Sequence, residues 1–371
     1  MGKLCIYLPP FAADYSGVCS ALYDLNCLTV INDASCCTAH YVYYDEPRWE
    51  NAPRTVFCTS LRNVDAILGD DEKVIERVCD MAHKTSPSLI AFVGTPVPAI
   101  IGMDTAGIAY EVEALTGIPS LGFDTTGFAY YDRGIIMAGK ALIRRFAKAP
   151  SDEELQAARD ERRVNIVGMT PLDHGAHGAD DKLVRLLKSA GMKVGARFFM
   201  GLTLEQVERC ASASLNLAVS SSGITLCRFL ERRFGTPYVI GMPQTQKELE
   251  TLFASTTRDA NRVNLDDTAK DAEGSRTLIV ADQVVGNSMR ARMRKTGDSH
   301  PIDVASFFGW HEDMAQSGDA FLRDEMDYLK LLKTGRYTTL AADPLLGNIP
   351  LASSLEFVPI VHPAVSSKLY W

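Results

Sequence analysis

The chain has 371 residues, 46% of them apolar and 23% charged, with a formal net charge of −8. Such a length exceeds one ordinary core, and such a composition excludes a disordered or fibrous chain, so two or three compact, soluble α/β units are expected. Acidic charge with scattered Lys and Arg excludes a polyphosphate-binding face, so no nucleic-acid partner is expected.

No apolar run reaches the ~18–20 residues that cross a membrane, and MGKLCIYLPP is too short and too broken by proline for a signal peptide. A cytoplasmic location is therefore expected. Nine cysteines in that reducing compartment suit packing, metal ligation or redox chemistry better than a disulfide framework.

Six of those cysteines, Cys5, Cys19, Cys27, Cys36, Cys37 and Cys58, fall within the first 58 residues, yet no CxxC occurs. A local thiol excess is the composition an iron–sulfur site needs, whereas a zinc ribbon lacks its motif. In NDASCCTAHYVYYDEPRW, Asn32, Asp33 or Ser35 is placed to cap a short helix carrying Cys36 and Cys37 in its first turn. The helix dipole is expected to lower their thiol pKa, as a ligand or nucleophile requires. The other reading is that two small cysteines simply pack at a helix start, and Cys5 and Cys27, in apolar runs, read as core.

Further along, continuous apolar runs at Leu89 to Val93, Val164 to Val167, Leu215 to Val219 and Thr277 to Val280 predict strands covered on both faces. Helical periodicity between them predicts parallel sheets with crossover helices. They end at Gly94-Thr95-Pro96, Gly168-Met169-Thr170, Ser220-Ser221-Ser222-Gly223 and Asp282-Gln283, where doubly wound sheets bind ligands. Ser220, Ser221 and Ser222 read as a cradle for an anionic group or as an ordinary helix cap. After them ITLCRFLERRFGTPYVIG reads as an amphipathic helix, a stop at Gly235 and a further strand.

Ser151 and Glu154 form a capping-box signal in a helical linker from Lys148 to Arg163. Its basic run, Arg159 to Arg163, is interrupted by acids and reads as a solvated face. Arg258 to Ser275 reads as a loop. These segments divide the chain into units 1–150, 160–260 and 275–371. His174 and His177 in DHGAHG lie within reach of one metal, though loop histidines are also commonly hydrogen-bonded. GxSxG, Walker A and a post-strand GxGxxG are absent, so neither ATP nor NAD is expected to bind.

The stretch DYSGVCSALYDLNCLTVINDASCCTAHYVYYDEPRW resembles the cluster-binding region of nitrogenase component 1 proteins, with Leu61 to Gly69 matching a later family segment. The likeness continues through LIAFVGTPVPAIIGMDTAGIAYEVEALTGIPSLGFDTTGF, VNIVGMTPLD and LNLAVSSSGITLCRFLERRFGTPYVIGMP. It implies three Rossmann-like, doubly wound units with parallel sheets, and an iron–sulfur cluster. It also implies a homodimer or a heteromer with another component 1-like subunit, and a separate ATP-hydrolysing iron–sulfur reductase.

Residue by residue, Cys37 falls on the family's central cluster cysteine. The first would lie near Pro10 or Phe11 and the third near Thr95, and neither position is a cysteine. Either Cys19, Cys36 or Cys58 substitutes, or two copies of Cys37 share one cluster across a dimer. The metal cofactor's cysteine ligand coincides with Ser220 and its histidine with His362, so iron–molybdenum cofactor binding is not expected. The resemblance implies an oxidoreductase subunit that receives low-potential electrons near Cys37. Its substrate would lie in a cleft lined by Ser220, Ser221 and His362, with His362, Tyr15 and Asp14 as proton donors. A metal-cluster or cofactor assembly scaffold, or a cluster-less partner subunit, is the alternative.

Overall fold

Strands form where branched and aliphatic residues predominate, with at most an isolated buried polar side chain such as Asn165, Asn216 or Asp303 among them. In the computed structural model these are β1 (Cys27–Ile31), β3 (Leu89–Val93), β7 (Leu215–Ala218), β9 (Thr277–Val280) and β10 (Ile302–Ser306), all buried throughout, and β5 (Arg163–Val167), buried after its first residue. The flanking strands are β2 (Val56–Cys58), β4 (Ser120–Phe123), β6 (Lys193–Phe198), β8 (Tyr238–Ile240), β11 (Ala320–Phe321), β12 (Thr339–Ala342) and β13 (Glu356–Pro359). The structure describes residues 6–50, 54–62, 71–175, 178–254, 275–297, 300–350 and 352–369. Cys5, His177, residues 63–69 of the Leu61 to Gly69 segment and the loop from Arg258 through residue 274 lie outside them.

Three sheets result, ordered β2-β1-β3-β4, β6-β5-β7-β8 and β11-β10-β9-β12-β13, with every described strand pairing parallel. The chain is thus an α/β protein of three Rossmann-like, doubly wound sheets. In each, the chain reverses direction across the sheet at one point: between β1 and β3, between β5 and β7, and between β9 and β12. Loops diverge there, which opens the crevice that doubly wound folds use for ligands.

The sheets are packed together by one large core that includes Leu22, Ile31 and Val93 of the first, Phe198 and Leu226 of the second, and Val280, Phe307 and Leu340 of the third. The helix Tyr131–Phe146 is central to it, lying against the helix Asp14–Leu22 and the helix Ser221–Phe234. The first crossing is close because both helices offer glycine: a Cβ on Gly134 would stand 1.8 Å from the Asp14 carbonyl oxygen, and one on Gly17 2.0 Å from that of Tyr131. The amides of Ile6, Tyr7 and Leu8 donate to the Glu325 carboxylate at 2.9, 3.0 and 2.8 Å, which ties the N-terminal segment to the third sheet's unit. Among the described residues no helix is long and apolar enough to cross a membrane.

Candidate functional site

The switch point of the first sheet carries Cys37. β1 ends at Ile31, and Asn32 and Asp33 are held by Thr59, whose hydroxyl donates to Asn32 Oδ1 at 2.8 Å and accepts the Asp33 amide at 3.1 Å. The helix Cys36–His40 follows, running into a π-turn at Tyr41–Asp45. Ser35 makes no side-chain cap; Asp33 does that work, accepting the Thr38 amide at 2.9 Å and its hydroxyl at 3.2 Å. From β3, Thr95 is fully buried and donates to the Asn32 carbonyl at 2.7 Å. The hydroxyls of Tyr15 and Thr95 both lie within hydrogen-bonding reach of the Cys37 sulfur.

This environment reverses the expected thiol acidity. Burial, and then the Asp33 carboxylate, push the Cys37 thiol up to about 11, against a lowering by the Tyr15 hydroxyl. A five-residue helix has little dipole, and the carboxylate that caps it brings a negative charge to the sulfur. Tyr15 is raised as well, by burial first and then by Cys37 and Asp45. Both groups stay protonated at neutral pH unless a cation draws the proton off.

The other candidates of this region do not gather around Cys37. Cys19 is 1% exposed in the core, where burial and then Cys27 and Glu46 raise its thiol well above the ordinary value. Cys36 is exposed, and half-buried Cys58 rests its sulfur on the Asp33 carbonyl at 3.4 Å. Asp14 is occupied as a loop anchor, accepting the amides of Thr126 at 3.0 Å and Gly127 at 2.7 Å. Phe11 is an aromatic core residue against Tyr130, Phe307 and Phe308. Among the described residues no three His, Cys, Asp or Glu side chains converge as a metal-ligand set. A cluster held by several thiolates therefore does not fit the described residues of this chain alone.

The second region lies where the switch points of the second and third sheets face each other. Of the three hydroxyls of the expected anion cradle, those of Ser220 and Ser222 are taken up by the protein itself, while the buried Ser221 Oγ has no hydrogen-bond partner among the described residues. Ser220 caps the helix Ser221–Phe234, accepting the Gly223 amide at 3.2 Å, while its hydroxyl donates to the Gly168 carbonyl at 2.8 Å. Gly168 and Gly223 let the two loops touch: a Cβ on Gly168 would lie 2.3 Å from Ser220 Oγ. Ser221 and Ser222 are also buried, and Ser222 Oγ bonds Ser220 Oγ at 2.9 Å. The adjoining crevice, between Phe307, Phe308, Asp343 and His362, is too narrow to admit a water molecule.

His362 sits at the centre of a buried polar network. Its Nε2 lies 3.1 Å from Tyr131 Oη and 3.5 Å from Asp173 Oδ1, and its amide donates to Asp343 at 2.7 Å. Tyr131 also donates to Asp173, which Thr170 anchors at 2.9 Å. Asp282, at the end of β9, accepts the Ser221 amide at 2.9 Å and joins the two sheets. Asp132 accepts the Gly309 amide at 3.2 Å. His311 accepts from Arg228 through Nδ1, so its Nε2–H donates to the Ser221 carbonyl at 2.9 Å.

Burial first, and then Asp173, raises Asp282 to about 6; burial likewise raises Asp132 to about 6, partly offset by the Gly309 amide. Asp173 goes the other way: burial would raise it, but His362, His174 and Tyr131 outweigh that and hold its carboxyl below the ordinary range. The network thus holds carboxyls of divided acidity near the His362 and His174 imidazoles; perturbed groups of this kind cluster at functional sites. Of this network, the sequence singled out His362, as a family ligand position and proton-donor candidate, and did not single out Tyr131, Asp132 or Asp173. Asp282 was visible only as a polar strand ending.

Residues 16–295 match the family described as nitrogenase component 1 type oxidoreductase. The chain is 25% identical over 192 residues to the nitrogenase iron-molybdenum cofactor biosynthesis protein NifE of Clostridium pasteurianum, covering 51% of this chain and 40% of that protein. It is 27% identical over 179 residues to a subunit of the light-independent protochlorophyllide reductase of Nostoc punctiforme, covering 46% and 34%. The alignments therefore take in well under half of each curated relative. A solved structure of nitrogenase Cp1 at pH 6.5 superposes with a TM-score of 0.69 at 13% identity, over 100% of this chain and 89% of that one.

Proposed function

The chain belongs to the nitrogenase component 1 type oxidoreductase family, and on that footing we propose that it is a cytoplasmic subunit of a nitrogenase-like reductase whose redox centre is completed by a second chain. The observation that carries this reading is Cys37: a half-buried thiol at a sheet's switch point, with the Tyr15 and Thr95 hydroxyls and the exposed Cys36 beside it, and with no metal-ligand set of three converging side chains among the described residues.

The segments around it are unusually apolar at the surface. Tyr43 and Tyr44 follow the Cys37 helix, Ile100 lies in the helix after Thr95, and Phe128 follows the loop anchored by Asp14; all are more than half exposed. Apolar groups grouped in this way mark a face that another protein covers. The partner is a second copy or a component 1-like subunit, with a separate ATP-hydrolysing iron–sulfur reductase as electron donor.

Because the described ligands are incomplete, no electron-transfer step is assigned to this chain by itself. Its own residues supply two things. Cys37 offers one thiol, with Tyr15 and Thr95 fixing the sulfur. The His362, Asp173 and Tyr131 network, with Asp282 and Asp132 titrating near 6, holds protons for a reduction in the neighbouring crevice once that crevice opens.

A carrier role in cofactor assembly is favoured by the match to NifE. Against it stand Ser220 in place of a thiolate and the closed crevice. The deciding experiment is anoxic isolation of the tagged chain from its native host, with iron and acid-labile sulfide measured on the complex and on the chain alone. Iron in the complex and none in the lone chain is expected. Full iron occupancy in the lone chain refutes the shared centre, and turnover with the cognate reductase separates enzyme from carrier.

A further inference from the structure

At the end of the second sheet opposite Ser220, where β5, β7 and β8 begin, the surface is concave. Val164, Met192, Leu215, Pro237 and Phe253 wall a pocket of about 260 Å³, and Arg159 and Arg162 stand on its rim. The basic run that reads as a solvated face in the sequence is therefore only partly that.

Arg163 and Lys193 both engage Glu161, the latter at 2.8 Å, and Gln156 donates to Asp160 at 2.9 Å. Glu161 is thus ion-paired, while Asp160 receives a neutral amide. Arg159 and Arg162 make no ion pair with a carboxylate among the described residues. Arg162 is held in place all the same: it adopts a left-handed φ of +48°, and its Nη1 donates to the Ala190 carbonyl at 3.1 Å. That conformation is unfavourable for a residue with a side chain, and it sets the guanidinium at the pocket mouth with most of its donors open.

We propose that this pocket is a binding site for a small amphipathic anion, a carboxylate on a compact apolar body. The apolar walls take the body, and the two guanidinium groups take the carboxylate by charge-assisted hydrogen bonds. The volume lies just under the ~300 Å³ at which sites for drug-sized ligands begin, so the body is about one or two rings in size. This site is separate from Cys37 and from the His362 network, and it stands or falls independently of the redox reading.

The test uses 2-naphthoate as the probe and 2-naphthalenemethanol as its neutral counterpart, titrated calorimetrically into the full chain. Saturable binding of the carboxylate is expected, about tenfold or more tighter than the alcohol, in keeping with hydrogen bonds between charged groups. Arg159→Gln lies on the surface, and Arg162→Gly relieves the positive φ, so both variants are expected to keep the wild-type circular dichroism. Each should weaken naphthoate several-fold and leave the alcohol unchanged. Equal affinity for acid and alcohol, wild-type affinity in both variants, or no saturable naphthoate binding up to millimolar concentration overturns the proposal.

Discussion

Replacing Asp132 by asparagine should stabilise the protein, and more so as pH rises. Asp132 is 7% exposed in the first turn of the helix Tyr131–Phe146, and its carboxyl is raised from 3.8 to about 6, mainly by burial. A raised carboxyl contributes stability below its unfolded value, and that contribution is lost as pH climbs through about 6. Two pKa units correspond to about 3 kcal/mol, and integrating the proton linkage places about 2 kcal/mol of it between pH 4 and pH 8. Asparagine keeps an oxygen for the Gly309 amide and has no charge to bury. Urea unfolding of both proteins across that range measures the difference. A variant whose advantage is flat with pH, or shrinks at pH 8, refutes the burial argument.

Glu325→Gln should cost about 1–2 kcal/mol above pH 5, because a neutral amide replaces the carboxylate that receives the Ile6, Tyr7 and Leu8 amides. Although burial opposes it, the three amides lower the Glu325 carboxyl below 4.5; the deficit should therefore vanish as pH falls, in the sense opposite to Asp132. Urea unfolding, with proteolysis of the N-terminal segment, checks both halves. Gly134→Ala should cost about 3 kcal/mol or prevent folding, since its Cβ would meet backbone rather than a movable side chain. A thermal midpoint within a few degrees of wild type, as expected for a loss under ~1 kcal/mol, would contradict that.

The fold was legible because parallel strands covered on both faces are largely apolar, and Leu89 to Val93 or Thr277 to Val280 has no other comfortable environment. Short edge strands such as β2 and β11 lack that signal. Cys37 stood out as a candidate through its place at a helix start and through the family resemblance, but its acidity was misjudged. The error arose first because the sulfur is half-buried and second because Asp33 caps the helix start, where a turn at Ser35 has φ of +135°; local spacing reveals neither.

The serines after β7 carried the right pattern for a cradle, but whether such a cradle is open depends on Gly168 from another loop. The polar network was least legible of all. Tyr131, Asp173, Asp282 and His362 come from distant parts of the chain and meet only after three sheets have packed. His362 alone stood out, through its position in the family pattern.

If Cys37 is this chain's contribution to a centre shared with another chain, its removal must empty that centre. Iron and sulfide on the anoxically isolated complex carrying Cys37→Ser, with Cys19→Ser as the buried control, decide the point. Loss of most of the iron in the first, with iron retained in the second, is predicted. Unchanged iron in Cys37→Ser would mean that the sulfur holds no shared centre.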